Sequence, residues 1–152
     1  YGYYSPNREG KLRSSSRGGK MTIKLWLPLP PSVNSMYKPT RKGVRLSKHA
    51  RLYKERVGWY VNRLEPLAGH LEVIVHINAH NKSRDIDNCL KLLLDSIEKF
   101  AYLNDRQVAR IHAHMYHDKA SDEGVYVEID EIRPMLNAIH SLDSTQYGIV
   151  ED

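Results

Sequence analysis

Residues 84–88 read Arg-Asp-Ile-Asp-Asn, two carboxylates two positions apart, and an apolar helical pattern carrying Lys91 follows them. Two such charges repel unless a cation lies between them or a helix start absorbs them. The residue types allow either outcome. As hard oxygen donors, Asp85 and Asp87, joined by Asp105 from the turn after the helix, suit Mg²⁺, which keeps several waters for a phosphate and a nucleophile. Ions held this way activate water and neutralise charge on the departing oxygen of a phosphodiester. As plain helix caps, the same aspartates accept backbone N–H groups and do no chemistry. Lys91 falls one turn after Asp87, on the same face. It either steadies charge developing on a phosphate or makes a surface pair of little worth. Spacing alone leaves these alternatives open.

The elements around the pair decide what can converge on it. Ile23, Leu25 and Leu27 alternate with polar-side positions and predict a strand, which the prolines at 28, 30 and 31 must end. Lys38 to Arg45, with Pro39 and Gly43, reads as a basic loop or short hairpin. Ser47 is placed to cap a helix running to about Leu64, with Ala50, Tyr53, Val57, Val61 and Leu64 as its apolar stripe. Leu71, Val73, Val75 and Ile77 share one face of a second strand. A second helix is expected from about Asp87 to Phe100, and strands from about Val108 to Met115 and Val125 to Ile132. The order predicts a compact single α/β (α+β) domain, a mixed sheet of about four strands against two main helices. A helix of that length separates its start from the turn beyond its end by some 20 Å, at about 1.5 Å per residue. Asp105 therefore joins Asp85 and Asp87 only if the next strand runs back beside them or its loop folds over.

The 152 residues are one domain's worth of chain. Residues 21–133 carry the patterned domain, while 1–20 read as a disordered extension or appended remnant ahead of Met21, and 134–152 as a tail without pattern. No apolar run approaches the roughly 20 residues of a membrane span. The single cysteine, Cys89, lies in an apolar helical pattern and reads as a buried hydrophobe in a reducing, cytoplasmic setting. The net charge of +5 is uneven: Lys38 to Arg56 holds eight Lys/Arg against Glu55 alone. That segment reads as an anion-facing patch, or as a solvated helix face. His112, His114 and His117 lack the partners a zinc site needs. No Ser-His-Asp pattern, Walker loop or dinucleotide fingerprint is present.

Two stretches taken together, Leu27-Pro-Leu-Pro-Pro-Ser-Val-Asn34 and Arg84-Asp-Ile-Asp-Asn-Cys-Leu-Lys91 with its continuation through Asp95 to Leu103-Asn-Asp105, resemble the RusA family of Holliday-junction resolvases. The resemblance covers about residues 21–132. It implies a Mg²⁺-dependent endonuclease, with Mn²⁺ as a substitute, that cuts four-way DNA junctions as a homodimer in recombination and repair. By position it implies that Asp85, Asp87 and Asp105 bind metal and that Lys91 is their basic partner. Asn88 and Asp95 match as well, with structural roles as plausible as catalytic ones. Two-fold symmetry suits a junction, because resolution needs two related nicks. Junction contacts are expected from Lys38, Arg41, Lys42, Arg45, Lys48, Arg51, Lys82 and Arg84. This chain departs from the family in the sparse cations before Asp85, only Lys82 and Arg84, and in Asn104, where an aspartate is frequent. The family is common in phages and prophages. Rival readings are a non-catalytic basic module for branched nucleic acid, and a metal-dependent nuclease acting on other branched DNA or on RNA. A glycosyltransferase use of Asp-x-Asp suits this short chain poorly.

Overall fold

The computed structural model describes residues 13–17, 20–32 and 37–132. Asn34 of the proline loop and the expected tail at 134–152 lie outside the described residues, as do residues 1–12 of the N-terminal extension. Strands β1 (Arg13–Arg17), β2 (Lys20–Leu27), β5 (His70–Asn78), β6 (Val108–Tyr116) and β7 (Gly124–Ile132) form one sheet in the order β1-β2-β7-β5-β6. Strands β5 and β6 are parallel and the other pairs antiparallel, so the sheet is mixed, as expected. The four expected strands are its β2, β7, β5 and β6. Strand β1 adds a fifth at the edge, from a segment to which the sequence assigns no element. A separate ribbon of β3 (Tyr37–Thr40) and β4 (Gly43–Leu46) is the basic hairpin. Gly43 takes φ +118 there, which a side chain would resist.

Alternation in the strands makes one sheet face apolar. Ile23, Leu25, Leu27, Leu71, Val73, Val75, Ile77, Val125, Val127 and Ile129 are all buried beneath helices α1 (Lys48–Val61) and α2 (Ile86–Ile97). These helices contribute Ala50, Tyr53, Val57, Val61, Cys89, Leu92, Leu93 and Ile97 to the same core. On α2, Leu92 is fully buried in this core, whereas Ile86, Leu90 and Leu94 are only partly buried against it. Ser47 caps α1 through its hydroxyl oxygen, which accepts the Ala50 N–H at 3.2 Å. Helix α1 stops at Val61 rather than Leu64, where the Leu64 N–H bonds the Val61 carbonyl at 3.0 Å in a tighter turn. Helix α2 stops at Ile97 rather than Phe100, because Lys99 adopts a left-handed φ of 73°.

Candidate active site

The chain reaches Asp85 from the end of β5, and that stretch is tied down at several points. Asn78, at the end of β5, donates through Nδ2 to the carbonyls of Asp118, Ser121 and Asp122 at 3.0, 3.2 and 3.0 Å, and accepts the Asp118 N–H at 3.0 Å. The His80 N–H donates to Glu123 at 2.7 Å, and His117 Nδ1 meets the Ala79 carbonyl at 2.7 Å. The Ala120 N–H and then the Ser121 hydroxyl hold the Asp118 carboxyl below its usual range. Nothing in the spacing singled out Asn78, where a polar residue closing an otherwise apolar strand was the available signal; His117, weighed above only as a zinc ligand, holds the Ala79 carbonyl instead.

Asp85 occupies the N-cap position of α2 with extended backbone (φ −93°, ψ 138°), yet its carboxylate makes no capping hydrogen bond. Instead Oδ2 accepts from Asn88 Nδ2 at 3.2 Å. Asp87 follows in the first turn, and both aspartates and Lys91 are exposed. The first-turn N–H groups and the helix dipole favour negative charge at this spot. Among the described residues neither carboxylate is in an ion pair. The cap reading therefore explains where Asp85 stands but not its carboxylate, which caps no backbone N–H and meets only the Asn88 side chain.

Several of the expected DNA contacts gather at this same end of the sheet. The Tyr53 hydroxyl of α1 donates to the Pro28 carbonyl at 2.9 Å, and Arg84 Nη2 donates to the carbonyl of Pro30. The proline loop thus lies between the N-terminal half of α1 and the start of α2. Lys48 and Arg51 are exposed in the first turn of α1, directly after the ribbon, where Lys38, Arg41, Lys42 and Arg45 are all exposed. Lys82 is exposed in the loop before Asp85. Arg84 is half-buried, and its Nη2 also reaches Cys89 Sγ at 3.3 Å, so this arginine serves as a structural tie.

Asp105 stands elsewhere. It opens a 3-10 turn (Asp105–Gln107) that feeds β6, whose first residue Val108 pairs with Leu71 near the beginning of β5. Asp85 follows the other end of β5, and α2 alone spans about 18 Å between the two sites. Strand β6 starts beside the far end of β5, so neither route for convergence within one chain is taken. Burial raises the Tyr102 hydroxyl pKa, with the charges of Glu98, Asp95 and Asp105 adding to the effect, which puts Asp105 among the acids at the C-terminal end of α2. Among the described residues, no three Asp, Glu, His or Cys side chains are grouped to hold a metal. Asn104 has its own use: its side chain accepts the Arg106 N–H at 2.9 Å, while Gln107 accepts the Asn104 N–H at 3.0 Å, a reciprocal cap. Gln107 also donates to the carbonyls of Leu67 and Gly69 at 2.8 and 3.1 Å.

With this arrangement in view, known proteins resemble the chain as follows. The family described as endodeoxyribonuclease RusA matches residues 28–130. Two relatives, each called crossover junction endodeoxyribonuclease RusA, come from Escherichia coli strain K12 and Shigella sonnei strain Ss046. Each is 29% identical over 92 residues, which cover 57% of this chain and 77% of the relative. The periplasmic domain of Helicobacter pylori MotB superposes with a TM-score of 0.36 and 13% identity over 96% of this chain and 94% of that one, too loosely to define a shared fold.

Proposed function

Since the chain belongs to the endodeoxyribonuclease RusA family, we propose that it is a metal-assisted endonuclease that resolves four-way DNA junctions by paired nicks. The observation that carries this reading is the end of the sheet where Asp85 and Asp87 stand exposed, with no capping bond from Asp85, beside a ribbon and helix start rich in Lys and Arg. The cations bind the phosphate backbone in a salt-dependent way. Asp85 and Asp87 fit Mg²⁺, which commonly takes one or two carboxylates and fills its remaining positions with water and substrate oxygens. A bound ion would supply Lewis-acid activation of the scissile phosphate and a more acidic water. The protein's own part is to hold the two carboxylates at a fixed helix start, with Asn88 orienting Asp85. Lys91 lies one turn further along the same face, toward the charge developing on the phosphate.

Asp105 enters this reading through a homodimer. Ile86, Leu90 and Leu94 are only half-buried along α2, while Leu103 and Ile111 are 66% and 46% exposed. This apolar strip runs from the Asp85 end towards the Asp105 end. Two copies joined through it about a two-fold axis, with α2 antiparallel, would set Asp105 of each subunit beside Asp85 and Asp87 of the other. Such a dimer carries two related sites, as paired nicking requires.

The test is cutting of an end-labelled four-way junction and of linear duplex of matching sequence, in Mg²⁺ and in EDTA. Paired symmetric nicks confined to the junction and to Mg²⁺ are expected. Tight junction binding without cutting under either condition would favour the non-catalytic module.

A further inference from the structure

Helix α1 turns Ala50, Tyr53, Val57 and Val61 to the core. Its opposite face carries Leu52 and Trp59, seven residues or two turns apart, at 51% and 74% exposure. Single exposed apolar residues are ordinary, but here a tryptophan and a leucine share one stripe. That stripe is flanked by Lys48, Arg51 and Arg56, all exposed, with Glu55 the one acid of α1. Ordinary core packing accounts for neither side chain, because the stripe points away from the sheet and from α2.

We propose that Trp59 stacks on an unpaired or unstacked nucleobase of branched DNA, with Leu52 extending the platform and the neighbouring cations holding the adjoining phosphates. The inference rests on the junction reading above and names a residue that would tell a branch from a duplex. Charge decides the occupant: two copies of this face brought together would set like charges against each other with little to offset them, whereas a polyanion neutralises them. Inside duplex DNA each base is already covered by its neighbours, while a branch point offers open base faces. An indole stacks on any base, so the contact reads shape rather than sequence.

The experiment compares the full-length protein with Trp59→Ala and Trp59→Phe. It measures junction and duplex binding across a salt series, with 2-aminopurine at the branch or within an arm as a stacking probe. Both variants should fold, because the position is exposed and alanine favours helix more than tryptophan does. Trp59→Ala should weaken junction binding roughly 5- to 150-fold, the size expected for one lost base stack. Duplex affinity and the salt slope should be unchanged, because no phosphate contact is removed. The branch-probe signal should disappear, and Trp59→Phe should retain most of both properties. Wild-type junction binding with an unaltered Trp59→Ala would overturn this inference alone, as would an equal loss on duplex. A Trp59→Ala protein that sediments as a smaller species would assign the face to a second copy instead. A wild-type protein without junction preference would sink the proposed function, and this inference with it.

Discussion

The Arg84 guanidinium donates through Nη2 to the carbonyl of Pro30, 54 residues earlier in the chain, and to the Cys89 thiol at 3.3 Å. One side chain thereby joins the proline loop to the helix start that carries Asp85 and Asp87. The two sequence stretches that carry the family resemblance leave the sheet at the same end, where β2 and β5 both pair with the start of β7, and this bond ties them together. Replacing Arg84 with alanine leaves the Pro30 carbonyl without that donor and the loop held by Tyr53 at Pro28. An expected loss of about 1–3 kcal/mol in urea unfolding follows for a hydrogen bond to a charged group. Lysine should restore little, since its ammonium is more strongly hydrated, reaches less far and lacks the fixed planar geometry of the guanidinium. Unchanged stability in Arg84→Ala would contradict the role.

The β3–β4 ribbon stands apart from the main sheet, with Arg41 and Lys42 exposed at its tip. Changing either to glutamine should weaken binding to junctions of different sequence alike. Each change should also lower the slope of log K against log salt by about one. Stability should move by less than about 0.5 kcal/mol. A slope that stays at the wild-type value would remove the ribbon from the DNA path.

Much of this was legible in the sequence. The alternation through Ile23–Leu27 and Leu71–Ile77 announced strands with one buried face, and Ser47 announced the start of α1. The motif located Asp85 and Asp87 at the start of α2 and Lys91 one turn further on. What could not be read was distance between elements. Whether Asp105 lies near Asp85 depends on the parallel pairing of β6 with β5, which no local pattern encodes. Arg84 looked like a phosphate contact because sequence gives charge but not burial. The cap at Asn104 and the early end of α2 at Lys99 depend on backbone angles that a helical apolar pattern runs straight past.

His76 lies on the sheet face opposite the helices, its ring 5.0 Å from the stacked ring of His114. Burial lowers its pKa from the ordinary 6.5, the His114 charge lowers it further, and Glu128 opposes them. The unfolded chain therefore takes up this proton at a pH where the folded protein still resists it. Stability from His76 is complete above about pH 6.5 and is lost as pH falls toward the folded value. The urea midpoint should decline between pH 7.5 and pH 5.5 by more in the wild type than in His76→Gln. Equal declines would show that His76 does not carry the effect.

Mixing subunits tests the shared site. In a protein assembled from Asp85→Asn and Asp105→Asn chains, the proposed dimer has one site with both changes and one site with neither. Each homodimer should be inactive, while the mixture should recover single nicks on a junction. If all three carboxylates acted within one chain, every site in the mixture would carry a defect. An inactive mixture of subunits that exchange would therefore rule the arrangement out.

The most direct test is Asp87→Asn, measured for cutting, junction binding and melting together. Losing one first-turn charge should alter stability by only about 0.5 kcal/mol. Removing a ligand-bearing oxygen should slow junction cutting in Mg²⁺ at least about 100-fold. Binding should be retained or tightened, because a negative charge beside the phosphates is gone. A variant that cuts like the wild type, or one whose lost cutting merely tracks unfolding, would return Asp85 and Asp87 to being the start of a helix.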